Sequence, residues 1–274
     1  MQVINITDNE FEKIKALVYD KFGISLGDQK KTLVVERLQK VLRGADLSSF
    51  SEYYNYVAAD KTGKALQVMC DLISTHHTYF FREHDHFDIM KKEVLPYMVK
   101  AAEKTGKLRI WSAGCSSGEE PYTMAMTIME YFNHNIKGLD IAILATDVSV
   151  STLEKAVEAC YTQEQLQHVP EGLKKRYMED NGNGTFTAAE SLRAMITFKK
   201  LNLMDEMYPF KGKFGLISCR NVMIYFDKPT RNSLVEKFCR YSAQDGYLFV
   251  GHSEALERSL GFYRYIKPAV YRKI

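Results

Sequence analysis

The chain has 274 residues, 46% of them apolar, and 37 lysines and arginines against 34 acidic residues, a formal charge of +3. That length buries a core large enough for one large domain plus a smaller companion. So small a charge gives no reason to expect a nucleic-acid partner, which needs basic residues concentrated on one surface. Five scattered cysteines without a Cys-x-x-Cys pair suggest reduced thiols in a cytosol. Acidic residues soon after Met1 and the lack of a long apolar run lead to the expectation of a cytoplasmic protein without signal peptide or membrane insertion.

The first 75 or so residues read as helices. Phe11, Ile14, Leu17 and Val18 recur at helical spacing until Gly23. A second helix is expected from near Asp28, gathering Val34, Val35, Leu38, Val41 and Leu42 on one arc. Arg37, Lys40 and Arg43 fall on a neighbouring arc, which reads either as a solvated face or as a docking surface for an acidic partner. From Leu108 onward short apolar runs alternate with amphipathic helices, the pattern of a parallel sheet covered on both faces. Strands are expected at Leu108 to Trp111, Ile141 to Thr146, Ile196 to Lys199, Phe214 to Ser218 and Tyr247 to Val250. The cluster Asp180 to Gly184 predicts the tip of a hairpin. Ligands of open α/β sheets bind beyond the carboxyl ends of the strands, so chemistry is to be sought there.

The strongest local signal is RIWSAGCSSGEEPY, a strand running through Gly114 to Gly118 into a helix with Pro121 in its first turn. Glycines admit close backbone approach and the helix start offers unpaired N–H groups. Glu119 and Glu120 stand at that same start. They would repel a pyrophosphate, whereas one of them could hold an ammonium group; the plainer reading is that both merely complement the helix dipole. The next strand ends at Asp147, where a carboxylate can accept from both ribose hydroxyls, and Ser151 with Glu154 predicts a capping box after it. Together these favour S-adenosylmethionine, a cationic nucleoside without phosphate, over a nicotinamide dinucleotide.

These residues resemble the chemotaxis receptor methyltransferases, the CheR family, over nearly the whole chain. The resemblance is carried by THHTYFFRE (Thr75 to Glu83), WSAGCSSGEEPY (Trp111 to Tyr122), ATD (Ala145 to Asp147), LNL (Leu201 to Leu203), CRNVMIYFD (Cys219 to Asp227) and GHSE (Gly251 to Glu254). It implies an α/β protein, a doubly wound Rossmann-like methyltransferase sheet with a small antiparallel insertion, preceded by a small all-α N-terminal domain. The expected division is 1–75 for the helical domain and 76–274 for the methyltransferase domain, with the insertion around 174–197. The implied activity is transfer of methyl from S-adenosylmethionine to glutamate side chains of chemoreceptors, leaving S-adenosylhomocysteine. By similarity Thr78 and Arg82 contact the cofactor, Arg82 also standing near the reacting centre. Glu120 is expected to hold its amino group, Asp147 its ribose, and Asn202 and Leu203 to flank adenine. Cys219, Arg220 and Asn221 should line the pocket, and Tyr225 should face the transferring methyl. His76 stands where the family commonly has asparagine.

A glutamate side chain is already ionised at neutral pH, so this reaction needs no general base and the lack of a Ser-His-Asp set is no obstacle. Alignment is what the enzyme must supply, with Arg82 and Tyr225 as the candidates. Receptor methylation regions are acidic, which gives the arc of Arg37, Lys40 and Arg43 a role against the receptor's cytoplasmic helical bundle. The segment MEDNGNGTFTAAESL is short beside hairpins that grip a receptor's C-terminal peptide, so no dependence on such a tether is expected. His76, His77, His84 and His86 cluster with Asp85 but match no common zinc spacing; no metal is expected, and the histidines are read as solvated or capping. Three other readings compete. A nucleic-acid or small-molecule methyltransferase lacks support because CRNVMIYF has no prolines where amino-methylating enzymes carry them; a nicotinamide oxidoreductase lacks Gly-x-Gly-x-x-Gly; a non-catalytic scaffold would have no use for Arg82, Glu120, Asp147 and Tyr225.

Overall fold

The computed structural model describes residues 4–136 and 138–274. Four helices come first: α1 (Asp8–Phe22), α2 (Lys31–Gly44), α3 (Phe50–Ala59) and α4 (Lys64–Ile73). Thr7 and Glu10 form a reciprocal capping box at the start of α1, and Gly23 ends it in the left-handed conformation, φ 69°. One 3-10 turn over Asp28–Lys30 precedes α2, so the α-helix proper begins three residues later than the sequence pattern suggests. Phe11, Ile14, Val18, Val34, Leu38, Leu42, Phe50, Tyr53 and Met69 bury the shared core, while Val35 and Val41 remain only partly covered at its margin.

Next, α5 (Asp85–Ile89) passes through a π-helical turn (Met90–Val94) into α6 (Leu95–Ala102). There follow β1 (Lys107–Ala113), α7 (Glu119–Tyr131), β2 (Asp140–Asp147), α8 (Val150–Glu158), β3 (Cys160–Thr162), α9 (Glu171–Tyr177), β4 (Met178–Asp180), β5 (Thr185–Ala188), α10 (Glu190–Arg193) and β6 (Ile196–Lys200). The chain closes with β7 (Phe214–Cys219), α11 (Lys228–Tyr241), β8 (Ser242–Val250), β9 (Tyr263–Lys267) and β10 (Val270–Lys273). The main sheet has seven strands in the order β6-β2-β1-β7-β8-β10-β9. Pairings from β6 to β8 are parallel and the two at the β9 edge are antiparallel. All five expected strands are present; β9 and β10, short and rich in charge and tyrosine, were not among them. From β1 the chain order runs outward to β2 and β6 on one side and to β7 and β8 on the other, so the switch point for ligands lies at the end of β1.

The small sheet, β3-β5-β4, is antiparallel and takes in Cys160–Thr162, ahead of the span the resemblance gave for the insertion. Its tip is the 181–184 turn, with Gly182 and Gly184 at φ 75° and 80°. Helix α8 is capped by Ser149, whose hydroxyl accepts from Thr152 N–H at 3.3 Å. The expected Ser151–Glu154 box is therefore displaced by two residues, because Asp147 Oδ1 accepts from Ser149 N–H at 2.9 Å and fixes the chain entry there. Trp111 lies at the centre of one face, fully buried among Tyr208, Phe210, Phe214 and Phe238, with its indole N–H donated to Thr146 Oγ1 at 2.8 Å.

Main-chain contacts bring the N-terminal helices over the carboxyl ends of the strands. Ser25 N–H donates to Tyr225 O at 2.8 Å, Ile24 bridges Phe226, and Asn202 Nδ2 donates to Lys21 O at 2.7 Å. Gln67 Nε2 donates to Val148 O at 2.9 Å. Between the helices and the strand ends these contacts enclose a cleft.

Candidate active site

Strand β1 ends in a loop that folds back on β2, Gly114 and Cys115 both donating to Thr146 O at 2.7 and 2.9 Å. Gly114 (φ 85°) passes so near Val222 that a Cβ there would stand 2.4 Å from its Cγ2, so this turn requires glycine on both steric and conformational grounds. The two acidic residues then diverge. Glu119 is 2% exposed, turned away from the cleft onto Ser117 Oγ, and burial raises its pKa. Glu120 lines the cleft. Its Oε1 accepts from Ser112 Oγ at 2.7 Å and its Oε2 from Arg220 at 3.0 Å.

Arg220, 7% exposed, also donates to Glu83 Oε2 at 3.2 Å and to the Arg82 carbonyl. Two carboxylates thus surround one guanidinium, leaving an excess negative charge beside the cleft that suits an ammonium group. Burial alone would raise the Glu83 pKa, but the His86 ring, Arg220, Asn221 and the His252 amide together hold it below the usual carboxylate range. Asp147 ends β2 with Oδ2 accepting from Ser116 N–H at 2.8 Å. Burial raises its pKa against the opposing pull of the Ser149 and Ser116 amides. Both oxygens thus accept a main-chain amide, and each keeps further acceptor capacity that a vicinal diol could use.

The connecting segment 74–84 crosses the cleft. Phe81 and Glu83, both non-glycine at positive φ (57° and 53°), flank Arg82, backbone strain concentrated around a residue expected to act in the reaction. Arg82 donates to His77 O at 2.7 Å. His76, Thr78, Arg82, Glu120, Asp147, Asn202, Leu203, Arg220, Asn221 and Tyr225 all line the one cleft. Cys219 does not: as the last residue of β7 it is fully buried in the core around Trp111, since strand alternation turns it away from the face that Arg220 occupies. The Asn202 carboxamide is engaged with Lys21 O and Met204 N–H.

Among the basic arc, Arg37 serves a different purpose. Its guanidinium donates to Leu72, Ile73 and Ser74 carbonyls at 3.2, 2.7 and 2.9 Å, satisfying the C-terminal end of α4. Lys40 and Arg43 are exposed on the outer face of α2. Lys30, which the sequence reading passed over, lines the cleft with its ammonium 5.3 Å from the Tyr225 ring centroid. Ser112, Ser116 and Glu83 carry no role in the sequence reading; their signal there is membership of the motifs WSAGCSSGEEPY and THHTYFFRE.

Of the clustered histidines, His77 and His84 are exposed, but His86 is 1% exposed between Phe249 and His252, contrary to the solvated or capping role expected of it. Among the described residues, Glu83, His86 and His252 form the group with metal-ligand potential. Glu83 is already shared with Arg220, so a cation added there would face a guanidinium.

Residues 9–74 match the family described as CheR methyltransferase, all-alpha domain, and residues 76–271 match CheR methyltransferase, SAM binding domain. A chemotaxis protein methyltransferase of Borreliella burgdorferi is 45% identical over 98% of this chain and 96% of its own length. A probable chemotaxis protein methyltransferase of Rhizobium etli is 38% identical, covering 87% and 89%, and chemotaxis protein methyltransferase 2 of Pseudomonas aeruginosa is 34% identical, covering 98% and 95%. No helix among the described residues is long and apolar enough to cross a membrane. With Glu120 and Asp147 lining the cleft beyond β1 and β2, and matches running from the first helix to the final strand, the chain belongs to the CheR methyltransferase family and uses S-adenosylmethionine as its cofactor.

Proposed function

We propose that this methyltransferase esterifies glutamate side chains on the cytoplasmic helical bundle of a chemoreceptor, acting in the cytoplasm and releasing S-adenosylhomocysteine. The observation that carries the reading is the polarity of the cleft: Glu120 and Asp147 line it together with Arg82, Lys30 and Tyr225. The acidic members suit the amine and ribose of the cofactor, and the cationic and phenolic members suit an incoming carboxylate. Bound there, the cofactor supplies an electrophilic methyl on a sulfonium. Glu120 holds the amine and Asp147 the ribose hydroxyls. Arg82 and Lys30 draw the substrate carboxylate in, and the Tyr225 hydroxyl orients it. No side chain has to remove a proton, because the carboxylate arrives ionised. Positioning of this kind is worth up to roughly 7–11 kcal/mol of barrier.

Lys40 and Arg43 on α2 are the candidates for contact with acidic receptor helices. Direct binding to the bundle, without a tethering peptide, is supported by the short β4 and β5 strands and the tight 181–184 turn between them. The function is tested by incubating the protein with radiolabelled S-adenosylmethionine and receptor cytoplasmic fragments. Alkali-labile label on the fragments is expected; alkali-stable label, or transfer to RNA instead, would overturn the proposal. Micromolar affinity for an isolated receptor C-terminal peptide would overturn direct docking.

A further inference from the structure

We infer that Glu254 is a positioning residue for methyl transfer, a buried carboxylate that clamps the Asn221–Tyr225 turn and so fixes where Tyr225 stands; this rests on the transfer reaction proposed above. Glu254 is 5% exposed, and among the described residues no cation pairs with it. Its partners are main-chain donors. Oε2 accepts from Gly251 N–H at 2.5 Å and Asn221 N–H at 2.9 Å, and Oε1 accepts from Ile224 N–H at 3.0 Å. Burying a carboxylate is costly, and hydrogen bonds from backbone amides to the charged form offset that cost. Burial raises the Glu254 pKa while those same amides pull it back.

The turn it grips has little freedom elsewhere. Asn221 is held at φ 58°, in the left-handed region. Gly251 lies so close that a Cβ would stand 2.5 Å from Asn221 Nδ2 and 2.9 Å from its backbone nitrogen, so the two loops interlock at a glycine. On the far side, Ser25 N–H holds Tyr225 O at 2.8 Å and Ile24 bridges Phe226. Tyr225 is thus suspended between the N-terminal helices and a loop whose amides converge on one carboxylate. Removing that carboxylate releases the Asn221 and Ile224 amides, with Asn221 Nδ2 still donating to Glu83 Oε1 at 3.2 Å, and leaves Glu120 and Asp147 in place.

Glu254→Gln preserves shape but turns an NH2 group onto backbone donors. The folded variant should bind S-adenosylhomocysteine at full stoichiometry and within about threefold of wild-type affinity, with KM for receptor fragments similarly held, while kcat falls about tenfold or more. Hydrogen exchange at the amides of 221–225 should accelerate. Combined with Tyr225→Phe, the loss should stay within about twofold of the slower single variant, because both act through one phenol. Glu254→Asp, which keeps the charge but shortens the reach, should show the same split and serves if the glutamine variant does not fold. A kcat within about threefold of wild type in a folded variant, loss of binding stoichiometry in step with kcat, or multiplicative losses in the double variant would overturn the inference. If wild-type protein leaves receptor fragments unmethylated, the proposed function fails; the exchange measurement still decides whether Glu254 holds the turn.

Discussion

Glu119 and Glu120 are neighbours in the chain and face opposite environments, because consecutive side chains at a helix start point about 100° apart. Glu119 is sealed against Ser117, where a charge is a burden; Glu120 faces the cleft, held by Ser112 and Arg220. Calorimetry with S-adenosylhomocysteine should separate them. Glu120→Gln is expected to weaken binding about ten- to hundredfold, roughly 1.4–3 kcal/mol, the worth of a charge-assisted hydrogen bond. Glu119→Gln should leave affinity within about twofold and hold or raise the unfolding midpoint, since a neutral amide avoids burying a charge. Equal losses in both variants would contradict this division.

Helix α2 carries two kinds of basic residue on one face, and they do different work. Arg37 closes the α4 end by donating to three successive carbonyls, whereas Lys40 is exposed and Arg43, also exposed, donates to Gln39 Oε1 at 3.4 Å on its own helix. Arg37→Ala should therefore cost about 1–3 kcal/mol of folding stability through unsatisfied carbonyls, measured by urea denaturation. Lys40→Glu should stay within about 0.5 kcal/mol of wild type, and Arg43→Glu, which gives up the hydrogen bond to Gln39 Oε1, is tested beside it for docking alone. Their effect should instead be slower receptor methylation at low ionic strength, fading as salt screens the contact and leaving cofactor affinity intact. Normal receptor methylation by the doubly reversed variant would rule out α2 as the docking element. The pattern of charges on a helix reveals an arc, but it does not reveal which members of that arc have a neighbouring helix end within reach.

Across the whole molecule, Glu83 ties distant parts of the chain together: Arg220 and Asn221 beyond β7, and the His252 amide beyond β8, converge on a residue from the connecting segment. Its pKa is lowered in the folded state, so folding is favoured by this group above its unfolded pKa, near 4.3, and that contribution fades as pH falls below it. Asp147, Glu119 and Glu254 have raised pKa values and act in the opposite sense, their contribution declining as pH rises. Comparing urea midpoints of wild type and Glu83→Gln from pH 3 to 7 cancels these shared groups. The difference should be large at neutral pH and shrink toward pH 3; a difference that does not change with pH would contradict the assignment.

Much of the fold was legible because it rests on local, periodic information. Apolar spacing located the parallel strands, Gly114 and Gly118 marked the loop after β1, and Gly182 with Gly184 marked the hairpin tip. The residues carried over by resemblance converge on one cleft apart from Cys219, whose direction depends on the last turn of pleat in β7. Tertiary structure alone decided what depends on a partner far away in the chain. It turned Arg37 inward, buried His86, moved the α8 cap to Ser149, brought Lys30 to the Tyr225 ring and closed Glu254 around Asn221. Hydrophobic periodicity is set by neighbours three or four residues apart, whereas a buried charge or an orphan carbonyl is satisfied by whatever the folded chain places beside it.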